Sequence, residues 1–119
     1  MKIIRYCDIK PEKRLDGRSI YTFIEHTFSS NTKSKFFRVK IPKGTIEEEH
    51  LHTGSDEIFI FLKPGKIIVN SETYNFEEGD IIILEKNERH KILAETEMEL
   101  MGIKSPNIND KIIIKNENN

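Results

Sequence analysis

Apolar and polar residues alternate along most of the chain in short runs. One run places Phe37, Val39 and Ile41 on one face and Arg38 and Lys40 on the other. An alternation of period two is typical of a β-strand with one buried face. Before the C-terminal tail, no segment repeats its apolar residues with the period of 3.6 that marks an amphipathic helix. The pattern therefore predicts a chain built almost entirely of strands.

Turn residues divide this pattern into short strands. In the second half of the chain, breaks such as Pro64-Gly65 and Asn70-Ser71 recur at intervals of roughly 8–12 residues. Many short strands with evenly spaced turns indicate an all-β sandwich or barrel. We also expect an edge strand at residues 3–4 and a loop over 11–17. The main predicted strands are 19–28, 36–41, 58–62, 66–69, 72–76, 80–84, 89–94 and 98–104.

The C-terminal tail, residues 106–119, fits two interpretations. Its apolar residues 112–114 suit a final strand, but they also suit a short helical turn with Asn109 or Asp110 as its cap. The last four residues, 116–119, are polar and predicted to be disordered. A chain of 119 residues is long enough for one hydrophobic core. We therefore expect a single domain over residues 1–119, with its core over about 18–104.

Composition narrows the choice of partners and compartment. The net charge is −1 and both signs of charge are interspersed, which argues against nucleic acid or a membrane surface as a partner. The chain has no apolar run long enough to span a bilayer and no signal-peptide pattern at its start. Cys7 is the single cysteine, so no internal disulfide can form. These features predict a cytoplasmic protein.

Four residues that commonly bind metals lie in two glycine-bounded stretches. His50 and His52 are two apart, which on a strand points both imidazoles to one face. Glu57 follows after a four-residue bend, and His90 lies in the second stretch. Imidazoles and a carboxylate on neighbouring strands form an open ligand set that suits Fe(II), Mn(II) or Zn(II).

The spacing of these residues resembles the two sequence motifs of the cupin superfamily. Gly44, five residues, His50-x-His52, four residues and Glu57 resemble the first motif, which ends here at Gly65. The stretch from Gly79 to His90 resembles the second motif. The departures are one extra residue before Gly65, and Glu85, Asn87 and Ala94 at positions where the family often has Pro, Gly and Asn.

The resemblance implies a fold, a cofactor and two classes of function. The fold is a double-stranded β-helix, a jelly-roll-like barrel of two antiparallel sheets. The cofactor is one divalent transition metal (Fe, Mn, Zn or Ni) held by His50, His52, Glu57 and His90. The function is that of a dioxygenase, isomerase or lyase, or of a non-catalytic small-molecule or metal-binding module. Family members commonly pair through N-terminal strands, so the resemblance also implies a homodimer, for which segment 19–28 is suited.

Side chains that share a face with the ligands are expected to line the pocket. Phe59 and Phe61 follow Glu57, while Ile92 and Ala94 follow His90. We expect Ile81 and Ile83, or their neighbours, to line it from the facing sheet. Such an apolar floor favours a keto acid, a diol or an aromatic alcohol. A sugar phosphate is less suited, because Arg38 is the one candidate cation and its position favours the surface.

A catalytic acid or base is only weakly indicated. The candidates are Glu48, His26, Tyr21 and Tyr74. Glu48 shares the face of His50, which predicts a place at the mouth of the barrel. Glu47 and Glu49 fall on the other face, and we expect them on a solvated strand edge.

Overall fold

A computed structural model describes residues 1–115, so the predicted disorder of residues 116–119 falls outside the described residues. One 3₁₀ turn, Tyr6–Asp8, precedes the strands, and no helix in residues 1–115 is long and apolar enough to cross a membrane. The strands are β1 (Glu12–Lys13), β2 (Ser19–Thr27), β3 (Lys33–Ile41), β4 (His50–His52), β5 (Asp56–Phe61), β6 (Gly65–Val69), β7 (Glu72–Phe76), β8 (Ile81–Leu84), β9 (His90–Lys91), β10 (Met98–Ser105) and β11 (Lys111–Ile113).

These strands form two sheets that face each other. The first sheet has the order β1-β2-β3-β10-β5-β8, and the second has the order β11-β4-β9-β6-β7. Every neighbouring pair is antiparallel, and strands close in sequence are repeatedly split between the two sheets. The predicted all-β jelly-roll barrel is therefore confirmed.

The core lies between the sheets and follows from the alternation along each strand. In β3, Phe37, Val39 and Ile41 are buried, as the pattern predicts. Gly102 on β10 lies opposite Phe37, and a Cβ at Gly102 would collide with that ring. The glycine thus lets an aromatic side chain lie flat across the neighbouring strand.

The two ends of the chain differ in part from the prediction. The predicted edge strand at Ile3-Ile4 is wrong, because the edge of the first sheet is formed instead by Glu12 and Lys13, which pair with Ile20 and Ser19. This short strand lies inside the predicted loop 11–17. At the other end the strand alternative is correct, because β11 pairs with β4. A strand in the tail matters because β4 carries two of the candidate ligands.

The outer surface of the first sheet is more apolar than the sequence indicates. Of the two predicted alternatives, Ile81 and Ile83 or their neighbours, the first is wrong, because Ile81 and Ile83 are 57% and 59% exposed. They lie in the same sheet as β5, where Ile83 pairs with Ile58 and Ile81 with Ile60. Their neighbours Ile82 and Leu84 point inward instead. We call the resulting surface the outer isoleucine face, formed by Ile58, Ile60, Ile81, Ile83, Met101, Ile103 and Phe36.

Candidate metal centre

The structure brings the four predicted ligands together from both sheets. His50 and His52 lie on β4 and His90 lies on β9, all in the second sheet, and His50 pairs directly with His90. Glu57 lies on β5 in the first sheet and points across the barrel. All four side chains are buried, and one potential ligand atom of each lies within 4.8 Å of those of the others. Residues up to 40 positions apart thus form one cluster that could hold a metal ion.

Each imidazole of the cluster is oriented by a hydrogen bond at Nδ1. The acceptors are Glu48 O at 2.9 Å for His50, Glu88 O at 3.1 Å for His90, and an Asp110 carboxylate oxygen at 3.0 Å for His52. A carbonyl or carboxylate oxygen can only accept, so Nδ1 must carry the proton in each case. The neutral ring then keeps the Nε2 lone pair available, which is the arrangement found in metal-binding histidines.

Two buried atoms at the centre of the cluster have no satisfactory partner. Glu57 Oε1 lies 3.0 Å from His52 Nε2 and 3.4 Å from His90 Nε2. Despite these short distances, Glu57 Oε1 and His90 Nε2 make no hydrogen bond of good geometry to any described residue. Buried polar atoms are normally paired, because an unpaired one loses its hydration without compensation. A divalent metal bound by nitrogen and oxygen ligands would compensate both atoms.

The local electrostatics favour the ligating protonation state at His50 and Glu57, whereas they favour the protonated ring at His52. Burial, assisted by the neighbouring His90, lowers the pKa of His50 to about 3, so this imidazole is neutral at physiological pH. Burial alone would raise the pKa of Glu57, but His52 and His90 outweigh it and lower that pKa to about 2. Burial would likewise lower the pKa of His52, but the carboxylates of Glu57 and Asp110 raise it.

Asp110 is a supporting residue that sequence reasoning missed. One of its oxygens accepts from His52 Nδ1, the other from the Gly54 N–H at 2.8 Å, and Lys104 Nζ lies 3.1 Å away. Burial opposes ionisation, but the bonds from Gly54, His52 and Lys104 together hold the pKa of Asp110 well below its usual range. The helix-cap role considered for Asp110 is wrong. Asp110 is 58 residues from His52, and only the pairing of β11 with β4 reveals their contact.

A cavity of about 530 Å³ opens beside the cluster. Phe59 and Ile92 line it, as their place on the ligand face predicts. Phe61 and Ala94 share that face but do not belong to the described lining. The Phe61 ring stacks on Phe76 with centroids 4.4 Å apart and fills the closed end of the barrel. Ala94 is buried beside the turn at Lys43 and Gly44, since the Gly44 N–H donates to Ala94 O. Alternation along a strand predicts which face of the sheet a side chain lies on, but it does not predict whether that side chain borders the cavity or packs in the core.

The weak catalytic candidates are dispersed over the molecule. Glu48 is exposed and lines the mouth of the cavity. The other three lie outside the described lining: the Tyr21 ring is tilted against the Tyr6 ring, His26 lies edge-on to Phe28, and Tyr74 donates to Glu72.

Glu47 corrects the prediction of a solvated strand edge. Its side chain is buried, at 6% exposure, and lines the cavity. Residues 47–49 form no regular strand, and the residue before them, Ile46, makes only an isolated bridge, with Leu93. The alternation of buried and exposed residues along β4 does not extend back to residues 47–49. Glu47 is therefore buried and Glu48 is exposed, although Glu48 is the residue two positions before His50. No local sequence signal predicts such a phase change.

The cavity also contains more cations than the sequence indicated. Arg38 lies outside its lining and pairs with Glu99. The basic residues that do line it are Arg14, Arg18, Lys35, Lys104 and Lys111. The prediction that Arg38 is the one candidate to neutralise an anionic ligand is therefore wrong. The physical reason is that the cationic residues come from segments far apart in sequence, which only the folded chain brings together.

Comparison with known proteins is consistent with this geometry. The model of the cupin domain family matches residues 37–103, which is more than half of the chain. No curated protein sequence is a detectable relative.

Solved structures of the same fold cover almost the whole chain. A predicted oxalate decarboxylase from Thermotoga maritima is 22% identical, with a TM-score of 0.77 over 87% of this chain and 97% of that one. Pac13 from Streptomyces, a nucleoside dehydratase, is 17% identical, with a TM-score of 0.77 over 97% and 92%. KdgF from Halomonas sp. is 15% identical, with a TM-score of 0.74 over 92% and 96%. Identity this low shows a shared fold and no more.

Proposed function

The chain belongs to the cupin domain family, and we propose that it is a single-domain, metal-dependent cupin that binds a small oxygen-bearing metabolite in its barrel. His50, His52, Glu57 and His90 would hold one divalent transition metal. The observation that carries this proposal is the common orientation of the three imidazoles. Each is fixed through Nδ1, and Nε2 of both His52 and His90 faces Glu57 Oε1, a buried carboxylate oxygen without a hydrogen-bond partner among the described residues.

The residues around the cluster prepare the cavity for a ligand. When bound, a divalent ion supplies Lewis acidity to a ligand oxygen. Phe59 and Ile92 exclude water from one wall, which strengthens polar interactions inside the cavity. Asp110 holds the His52 ring in place and keeps its Nδ1 proton there.

We favour an enzyme over a non-catalytic binding module because of Glu47. Its Oε1 is buried and makes no hydrogen bond among the described residues, although it lies in the wall of the cavity. Burial raises the pKa of Glu47, against the opposing effect of Arg18, so the carboxyl can hold a proton more readily than a solvated one. A group that can take and return a proton suits an isomerase or lyase better than a dioxygenase. A non-catalytic module would release its ligand chemically unchanged, as mass spectrometry of the incubated ligand would show.

The proposal is tested by the metal itself. Protein purified without added metal is expected to contain about one first-row divalent ion per chain, measured by elemental analysis. A chelator should lower the melting temperature but leave a cooperative transition, because the core around Phe61, Ile67 and Leu100 forms without the metal. Absence of metal even after incubation with Fe(II), Mn(II), Zn(II) and Ni(II) would contradict the proposal. If the protein is unfolded at room temperature after a chelator has removed the metal, the statement that the core forms without the metal is wrong.

The affinity for metal should depend on pH in a direction set by His52. Because the pKa of His52 is raised, the metal-free site binds a proton there more readily than a free imidazole does, and metal must displace that proton. Affinity should therefore fall by about tenfold per pH unit below that pKa and level off above it. His50 is already neutral in this range and adds no further proton. Calorimetric titrations in buffers of different ionisation enthalpy would count the protons released.

We infer that the outer isoleucine face pairs two copies of the chain. Apolar side chains lie side by side across β8, β5, β10 and β3, and Ile24 of β2 extends the surface toward the sheet edge. Continuous apolar surface of this kind is typical of interaction sites. Light scattering at micromolar concentration should give about twice the chain mass of 14.0 kDa.

A pair of charged substitutions separates this interface from a general effect of charge. Ile81→Glu with Ile83→Glu should produce monomers that remain folded. The matched control is Ile112→Glu on β11, which is similarly exposed but lies in the other sheet, and it should leave the dimer intact. A wild-type monomer, or a control that dissociates equally, would refute the assignment.

A further inference from the structure

Three lysines lie on the same inward face as the metal-ligand candidates. In the strand register, Lys104 on β10 lies opposite Glu57 on β5, and Lys35 on β3 lies opposite Lys104. Lys111 pairs with His52 across β11 and β4. Residues directly opposite each other in an antiparallel pair point to the same face. The metal end of the cavity is therefore flanked by ammonium groups from three strands.

Two of these lysines are available for a ligand. Lys104 is occupied, since its Nζ donates to Ile108 O at 2.6 Å and lies 3.1 Å from an Asp110 oxygen. Within residues 1–115, neither Lys35 nor Lys111 forms an ion pair with a carboxylate. Lys35 Nζ instead lies 5.5 Å from the centre of the Phe37 ring, another residue of the cavity lining.

The charges at this end of the cavity add up to a positive excess. A divalent ion held by three neutral imidazoles and Glu57 keeps one positive charge, and the pair of Lys104 with Asp110 is neutral. Lys35 and Lys111 add to that excess. A site of this kind is complementary to an anion placed beside the metal.

The buried carboxyl of Glu47 favours a second chemical group in the ligand, one that can form a hydrogen bond with it. Arg18 Nη1 donates to one oxygen of Glu47 at 2.7 Å, and Asp16 in turn holds Arg18 Nε at 2.8 Å. The other oxygen, Oε1, is buried without a hydrogen-bond partner among the described residues. The Arg18 contact fixes the carboxyl in the cavity wall, and a ligand hydroxyl placed beside Oε1 would complete its hydrogen bonding.

Resting on the function proposed above, we propose that the cavity binds a hydroxylated organic acid. Its carboxylate lies against Lys35 and Lys111 at the metal end, and one of its hydroxyl groups forms a hydrogen bond with Glu47 Oε1. A volume of about 530 Å³ accommodates an acid of several carbons. This ligand class differs from the diol or aromatic alcohol that an apolar floor alone would select.

The test compares three probes of similar length on metal-loaded protein by calorimetry. Gluconate has both the carboxylate and the hydroxyls, hexanoate has only the carboxylate, and sorbitol has only the hydroxyls. We expect gluconate to bind most tightly, hexanoate roughly tenfold more weakly, and sorbitol not measurably. Equal binding of sorbitol and gluconate would overturn the anion subsite, and equal binding of hexanoate would overturn the hydroxyl contact. Failure of gluconate to bind would overturn the proposal as a whole.

Variants separate the two contacts. Lys35→Gln with Lys111→Gln should weaken gluconate and hexanoate alike by roughly tenfold, whereas Lys40→Gln, on the opposite face of β3, should change neither. Glu47→Met should remove the advantage of gluconate over hexanoate, and Glu47→Gln should restore most of it, which also excludes chelation of the metal by gluconate as its source. A Glu47→Met variant that retains the advantage would refute the role of Glu47.

Metal content is measured in every variant by elemental analysis. Full occupancy with lost gluconate binding assigns the effect to the anion and hydroxyl contacts. If the wild-type protein binds metal but none of the three probes, the inference about the ligand fails while the proposed metal-dependent function stands. If the wild-type protein binds no metal, the proposed function itself fails.

Discussion

Replacement of His52 by alanine is expected to abolish metal binding. Within residues 1–115, His52 is the one imidazole that contacts carboxylates on both sides, with Glu57 Oε1 3.0 Å from its Nε2 and Asp110 3.0 Å from its Nδ1. Its loss removes a ligand and leaves Asp110 without the ring that it orients. We expect no metal in the purified variant by elemental analysis, and no change in its melting temperature when a chelator is added.

Two further variants distinguish loss of a metal ligand from loss of the residue that orients it. Asp110→Asn keeps all four candidate ligands and should retain metal with an affinity weakened by roughly 10–100-fold, as for other residues that support a metal ligand. His26→Ala is the control, because His26 lies against Phe28 outside the described cavity lining and should leave metal content unchanged. A His52→Ala protein that retains a full equivalent of metal at the same affinity would refute the assignment.

Replacement of Phe61 by alanine is expected to cost about 3–5 kcal/mol of unfolding free energy. The Phe61 ring is fully buried and stacks on Phe76 with an interplanar angle of 5°, so truncation leaves a closed void that the barrel cannot fill by collapse. A loss of this size removes much of the stability of a typical domain. Denaturant titrations of the metal-free protein measure it without interference from ligation.

Phe59→Ala is the matched comparison for this effect. Phe59 lies on the same strand and face but borders the open cavity, where one side of the ring already lacks tight packing. We expect a smaller loss, toward 3 kcal/mol, because the space created joins a cavity that water can enter. The variant should bind metal as the wild type does. A larger loss for Phe59→Ala than for Phe61→Ala would contradict the placement of the closed and open ends of the barrel.

The candidate ligands lie on both sheets but only at one end of the barrel. A bound metal should therefore stabilise the fold without being needed for it. The second sheet supplies the three imidazoles and the first supplies Glu57, so a bound ion would link the sheets at one end. The opposite end is already joined by apolar contacts such as Phe61 with Phe76. Removal of the ion should therefore loosen one end of the barrel while the other remains packed.

The sequence alone was sufficient for the fold and for the four clustered side chains. Alternation of period two, interrupted by turns, identified strands such as 72–76 with their observed bounds, since strand geometry itself imposes that period. His50 and His52 are separated by one residue on a regular strand, so their common direction follows from local geometry. Asn87 illustrates the same point, because it adopts a φ of 70°, a conformation that asparagine tolerates better than most residues.

Only the tertiary structure decided what surrounds those four side chains. Asp110 reaches His52, and Lys35, Lys104 and Lys111 reach the cavity, through pairings between strands distant in sequence, which no local pattern encodes. Glu47 is buried because the chain loses its regular alternation just before β4, and this phase change depends on how residues 45–47 bond to residues 92–94. The periodicity of the sequence predicts on which face of a strand each side chain lies. Depth, partners and charge balance depend on the strands that come to lie beside it.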